Sequence, residues 1–167
     1  MELRRIKTEK DIEIVESLFY KIFPDESGYD LHHFKNSITG RHTCKRLEYY
    51  LAYKEDTPVG FTGVYANKDD ECWLGWFGIF PQYRRKGYAT QMLDLQMKLM
   101  KEYGYKVCRI YTNTISNELA VKLYLKAGFQ KNAKYNHVII MAKALDGKTP
   151  VSKWRGRPLG YVPEWPI

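Results

Sequence analysis

From Cys72 to Phe80 the chain is dense in apolar and aromatic residues and reads as a strand. The next residues, Pro81-Gln82-Tyr83-Arg84-Arg85-Lys86-Gly87, read as a short basic turn, and Tyr88-Ala89-Thr90 opens a helix. No other segment constrains the chain as much. Successive backbone N–H groups after Tyr83 can converge on one point with a helix N-terminus behind them, and such a nest binds phosphate. At Gly87 the backbone can close on a ligand where a Cβ would clash. The turn lacks the spaced glycines and Gly-Lys-Ser/Thr ending of a Walker loop, and its single glycine excludes a dinucleotide fingerprint. Read alone, it is equally a basic surface turn at a helix start.

A second segment, Asn117-Glu118-Leu119-Ala120-Val121-Lys122-Leu123-Tyr124-Leu125-Lys126-Ala127-Gly128-Phe129, carries a helical stripe. Ala120, Leu123, Tyr124 and Ala127 recur at the spacing of one buried face, and Gly128 ends the run. With both segments in view, the chain resembles the GNAT superfamily of N-acetyltransferases. Arg84-x-x-Gly87-x-Ala89 resembles its acetyl-CoA pyrophosphate motif, and Asn117-x-x-Ala120-x-x-Leu123-Tyr124-x-x-x-Gly128-Phe129 its second motif. They occur in the family's order and at its usual separation. The resemblance is close from Cys72 to Phe129 and elsewhere rests on element order.

With 167 residues the chain is expected to form one domain with a proper core. No apolar run approaches membrane-spanning length, and Met1-Glu2-Leu3-Arg4-Arg5 is not followed by a secretion-type stretch. Three cysteines without metal spacing point to a reduced, cytoplasmic setting and to no metal. The net charge of +8 fits a polyanionic small ligand, an acidic surface or nucleic acid. CoA, with its pyrophosphate and ribose phosphate, can use part of the excess. No nucleic-acid motif accompanies the basic residues, so neither nucleic acid nor membrane is an expected partner.

Along the chain, Leu3 to Ile6 reads as a strand, and Thr8-x-x-Asp11 as a helix start followed by Val15, Leu18, Phe19 and Ile22 at helical spacing. A loop with Asp25, Glu26, Ser27 and Gly28 leads to a shorter helix near Asp30 to Ile38. Leu47 to Tyr53 and Val59 to Ala66 read as an antiparallel pair. Ala89, Met92, Leu93, Leu99, Met100 and Tyr103 form a long helical stripe interrupted by Gln96. Val107 to Thr112 is a further strand, and Phe129 to Ala133 with His137 to Ala142 a closing hairpin. The segment 145–167 holds four of the seven prolines plus Trp154, Tyr161 and Trp165. It is too aromatic for a plain disordered tail, and we expect it to lie against the 1–144 domain or a second subunit of a possible homodimer.

The resemblance implies an α/β (α+β) fold with a mixed, mostly antiparallel sheet of about six to seven strands and about four helices, splayed between the fourth and fifth strands. It implies acetyl-CoA as co-substrate, an amine as acceptor, and direct transfer of the acetyl group between them. The main-chain N–H groups of Arg85, Lys86, Gly87, Tyr88, Ala89 and Thr90 are expected to surround the pyrophosphate, helped by the helix dipole, and by the same resemblance the Arg84 side chain and the N–H groups near Lys86, Gly87 and Ala89 carry this role. The backbones of Phe77 and Ile79 take the pantetheine arm as an added strand, and the Ile79 N–H faces the carbonyl oxygen. Asn117 bonds the pantetheine amides or caps its helix. Tyr124 is the acid that protonates the departing thiolate; from spacing alone it is equally a core tyrosine.

The general base is open. Some relatives carry a carboxylate where Trp73 stands here. Glu71, on the same strand face, is the first candidate; Asp69, Asp70 and Glu48 are weaker, and deprotonation by water is the alternative. The acceptor pocket is expected between the first two helices, the Tyr49–Tyr65 hairpin and the last hairpin, with Asp25, Glu26 and Asp30 available to an amine and His32 and His33 at its edge. The competing readings are a non-catalytic acyl-CoA-binding module on the same fold and a basic nucleic-acid binder. The latter leaves the Asn117 to Phe129 pattern unexplained.

Overall fold

The computed structural model describes residues 1–26, 31–113 and 117–160. In chain order the elements are β1 (Glu2–Arg5), α1 (Glu9–Ile22), α2 (His32–Thr39), β2 (Arg46–Lys54), β3 (Thr57–Ala66), β4 (Glu71–Leu74), β5 (Gly78–Ile79), α3 (Tyr88–Glu102), β6 (Val107–Asn113), α4 (Glu118–Lys126), β7 (Gln130–Tyr135) and β8 (Val138–Ala144). They form a mixed α/β fold around one eight-stranded sheet of order β1-β2-β3-β4-β6-β8-β7, with β5 paired to β3. Every pairing is antiparallel except β4 with β6.

Local chemistry sets the helix positions. Thr8 Oγ1 accepts from the Asp11 N–H at 3.2 Å, and Asp11 Oδ2 accepts from the Thr8 N–H at 2.9 Å. This capping box starts α1, whose Ile12, Val15, Leu18, Phe19 and Ile22 are buried against the sheet. Burying each is worth about 1.5–3 kcal/mol. The second helix runs His32–Thr39, so Asp30, which the sequence places at its start, lies outside the described residues. Alternation along the strands sends Tyr49, Leu51, Phe61 and Trp73 into one core with α1 and α2. Tyr50, Val64, Cys72 and Leu74 enter another with α3 and α4. Gln96 does not interrupt the stripe of α3: it is fully buried, and neither its Nε2 nor its Oε1 has a hydrogen-bond partner among the described residues.

The Cys72–Phe80 segment is not one strand. It breaks at Gly75–Phe77 into β4 and β5, which is why the sheet has eight strands rather than six or seven. The Gly75 N–H donates to the Gly63 carbonyl at 2.8 Å, and a Cβ on Gly75 would sit 3.2 Å from the Gly63 backbone and 3.3 Å from the Tyr49 ring. A Cβ on Gly78 would run into Ile22. Two residues without side chains thus let the chain jog toward β3 and away from β6. The parallel pairing of β4 with β6 covers only Glu71–Val107, Cys72–Cys108 and Trp73–Arg109. Beyond Arg109 the β6 edge facing β4 has no strand partner among the described residues, while its other edge stays paired with β8 through Asn113.

Residues 145–160 run back over the sheet and are held by Arg109, which is 1% exposed. Its Nη1 donates to Asn132 Oδ1 at 2.8 Å and its Nη2 to the Ser152 carbonyl at 2.9 Å. Its Nε lies 2.9 Å from Glu71 Oε2, a charge contact whose angle is poor for a hydrogen bond. Trp154 docks edge-on against Trp73, ring centroids 4.9 Å apart, and Tyr65 donates to the Leu159 carbonyl at 2.7 Å. Removing the guanidinium strands a buried carboxylate. We therefore expect Arg109→Ala to destabilise the protein by about 3 kcal/mol in urea unfolding, within the range for breaking a buried pair. It should also expose the 145–160 segment to protease. A loss well under about 1 kcal/mol would contradict this role.

Candidate active site

The turn after β5 has the geometry of an anion nest. Phe80 leads into a single 3₁₀ turn, Pro81–Tyr83, and Arg85 and Gly87 both adopt left-handed backbone, φ 60° and 77°. Gly87 is the N-cap of α3, and the first intrahelical bond at this end runs from the Gln91 N–H to the Gly87 carbonyl at 3.2 Å. Among the described residues no backbone N–H from Arg85, Lys86, Gly87, Tyr88, Ala89 or Thr90 donates to a protein acceptor. Six consecutive donors at a helix N-terminus suit a group with several anionic oxygens. The Arg84 side chain turns back instead, donating from Nε to the Ile79 carbonyl at 3.0 Å, so it ties the nest to β5.

Beside the nest the separated strands leave open backbone. The Phe80 N–H points to β3, donating to Val59 O at 2.9 Å. By strand alternation the Ile79 N–H faces the other way, toward the gap, while the Ile79 carbonyl accepts from Arg84 Nε. Leu74–Phe77 on one side and Ile110–Asn113 on the other line a cleft of about 930 Å³. A pantetheine arm, with its two amides, fits such an edge as an added strand.

α4 brings Asn117, Ala120 and Tyr124 to the same cleft. Asn117 takes the N-cap position but makes no side-chain capping bond, so its amide remains available. Tyr124 is 3% exposed, with its ring against Phe77 and Phe129. Its hydroxyl has no protein hydrogen-bond partner among the described residues. Burial, and secondarily the nearby Cys108, push its pKa well above the usual phenol value.

The candidate bases do not gather here. Glu71 sits at the other end of β4, paired with Val107, and does not line the cleft. Its carboxylate is held by Arg109 and, at 3.6 Å, by Lys68. Glu71, the first candidate base, thus lies against Arg109 and apart from the cleft. Glu48 points into the α3 side, hydrogen-bonded by Tyr50, by Tyr103 at 2.9 Å and by Arg46 at 2.7 Å. Burial raises its pKa, but these bonds and the charges of Arg46 and Arg5 outweigh it and hold it low. Asp69 pairs with Lys45 at 3.0 Å. Trp73 fills its position as core, stacked on Tyr65.

Phe23, Glu26, His33 and Tyr49, from the α1–α2 region and the β2–β3 hairpin where the acceptor pocket is expected, line one part of the cleft. Asp25 and His32 do not reach it. The sequence reading missed the wall built by Trp154 and Arg157–Gly160. Its only sequence signal was the aromatic content of that segment. Among the described residues no group of three or more metal-ligating side chains occurs, and no helix is long and apolar enough to cross a membrane.

The model of the acetyltransferase (GNAT) family matches residues 12–129. The chain belongs to that family. Solved members share the fold at low identity. The Escherichia coli ribosomal-protein-S18-alanine N-acetyltransferase superposes with a TM-score of 0.72 at 17% identity, covering 86% of this chain and 93% of that one. The PaiA N-acetyltransferase of Thermoplasma acidophilum, in complex with coenzyme A, gives 0.68 at 18%, covering 86% and 99%. The N-acetyltransferase PseH of Campylobacter jejuni, in complex with acetyl coenzyme A, gives 0.64 at 15%, covering 86% and 97%. An N-alpha-acetyltransferase of Sulfurisphaera tokodaii is 38% identical over 60 residues, 35% of each chain, so the match spans about a third of that curated relative.

If this GNAT member uses the nest for anionic oxygens, a side chain at the left-handed Gly87 should spoil it. Gly87→Val should weaken ADP binding by about tenfold in calorimetry, the strain costing about 1–2 kcal/mol. Unchanged affinity would show that the diphosphate sits elsewhere.

Proposed function

We propose that this chain is an acetyl-CoA-dependent N-acetyltransferase that moves the acetyl group to a primary amine by direct attack in a ternary complex. The observation that carries the reading is the run of six amides, Arg85 to Thr90, without a protein acceptor among the described residues, opening beside the gap where the β4–β6 ladder ends. The amides hold the donor's pyrophosphate, and the Phe77 and Ile79 backbones and Asn117 hold its amide-bearing arm. Bound there, the thioester supplies an activated acetyl carbon. The Ile79 N–H, on the gap side, donates to the carbonyl oxygen as charge develops on it. Residues 1–144 make the catalytic domain and 145–167 an extension of it. Its free thiols, Cys44, Cys72 and Cys108, fit a reducing, cytoplasmic setting.

The transfer forms one C–N bond and breaks one C–S bond. The amine proton leaves to water, since Glu71, Asp69 and Glu48 are engaged elsewhere. The Tyr124 hydroxyl gives its proton to the departing sulfur. Burial keeps that phenol protonated at neutral pH, and the same apolar surroundings raise the basicity of the thiolate it meets. A hydroxyl in the cleft without a protein partner favours this catalytic reading over a passive acyl-CoA binder.

Thiol release from acetyl-CoA should depend on added amine. Tyr124→Phe should lower turnover about 100-fold, a typical loss for a general acid, while CoA affinity by calorimetry stays within about twofold. Full turnover in that variant would remove Tyr124 from the mechanism. Tight CoA binding without thiol release across a broad amine panel would favour the passive binder.

A further inference from the structure

We infer that the acceptor is an amine with an anionic group at its far end, held by Arg41 and Arg157, which both line the cleft; this rests on the transferase reading above. Among the described residues, the fully charged side chains lining the cleft are Arg41, Arg157 and Glu26, two cations against one anion. His33, His42 and His137 add three imidazoles that can donate to an anion. None of residues 84–90 lines this cleft, so these guanidiniums are separate from the phosphate nest.

The two arginines are placed differently. Arg41 follows α2, is exposed and makes no ion pair among the described residues. Arg157 is positioned by the extension. Trp154 Nε1 donates to the Arg157 carbonyl at 3.1 Å, and the Trp154 N–H donates to Asn132 Oδ1 at 2.8 Å. That oxygen also receives Arg109, and beyond Arg157 the Leu159 carbonyl receives Tyr65. The backbone carrying Arg157 is therefore pinned on both sides of the residue, and its exposed side chain lines the cleft.

The electrostatic consequence is selective. A free primary amine is itself cationic at neutral pH. A rim carrying guanidiniums repels a plain alkylamine and repels a diamine more. An amine that also carries a carboxylate or phosphate is drawn in by its anionic end, which leaves the nitrogen directed toward Tyr124. A cleft lined mainly by one sign of charge concentrates ligands of the other. The segment 145–160 thereby becomes a specificity element, and the clip at Arg109 positions it without touching substrate.

The test is equilibrium binding to CoA-loaded protein by calorimetry, using four amines of one chain length: an ω-amino carboxylate, an ω-amino phosphate, the plain alkylamine and the diamine. The anionic pair should bind at least about tenfold tighter than the other two, with the advantage shrinking as salt is raised. The carboxylate and phosphate arms tell which anion is preferred. Reversing both charges, Arg41→Glu with Arg157→Glu, should abolish or invert the preference with CoA affinity unchanged, and Arg41→Lys with Arg157→Lys should keep most of it. Both side chains are exposed, so the variants should fold, which thermal unfolding checks. Equal affinities, tightest binding of the diamine, or no binding by any amine would overturn the inference. Amines that bind with the expected preference yet give no thiol release would count against the transferase reading alone.

Discussion

Backbone donors and acceptors must find partners, and in this fold the amides of residues 85–90 have none among the described residues. The parallel ladder between β4 and β6 stops at Trp73 and Arg109. Past that point β5 follows β3, β6 follows β8, and the two edges diverge. A closed sheet would use the backbone groups of those edges internally. An open one leaves them for a ligand shaped like a strand. The jog at Gly75–Gly78 creates the gap, the gap forms the cleft, and the nest at Arg85–Thr90 lies at the end of the strand that turned away. Arg84, bonded to the Ile79 carbonyl, joins nest to edge.

At the paired end of the same strands the chemistry is structural. Glu71, Arg109, Asn132 and Ser152 form a clip where β4 and β6 still touch. The Glu71 carboxylate neutralises a buried guanidinium, and losing that contact would leave the cation unpaired. The two ends thus differ physically: the zipped end holds the fold and residues 145–160, and the unzipped end borders the cleft. Tyr124 belongs with the second. It lies beneath the open edge, in apolar surroundings that keep it neutral.

Much of this was legible in the residues because it depends on local rules. A basic turn with one glycine before a helix gives the nest, since backbone geometry near Gly87 follows from the absence of a Cβ. The spacing of Ala120, Leu123 and Tyr124 places the phenol on the inner face of α4. The capping box at Thr8 and Asp11 is purely local too. What escaped depends on distant partners. Glu71 looked like a free carboxylate on a strand until Arg109, far along the chain, was seen beside it. Gln96 looked like a break in a stripe, yet tertiary packing buries it. The break of the central strand was hinted at by Gly75 and Gly78, but its direction needs Gly63, Tyr49 and Ile22. The wall built by Trp154 and Arg157–Gly160 has no periodicity, and only its hydrogen bonds to Asn132 and Tyr65 reveal its place.

The central claim is most directly tested by a crystal structure of the protein grown with CoA. The account predicts the diphosphate within hydrogen-bond distance of the amides of residues 85–90, and the pantetheine arm lying between Phe77–Ile79 and Ile110–Asn113 as an added strand. CoA bound away from that nest, or β5 and β6 joined by direct hydrogen bonds along their length, would contradict it.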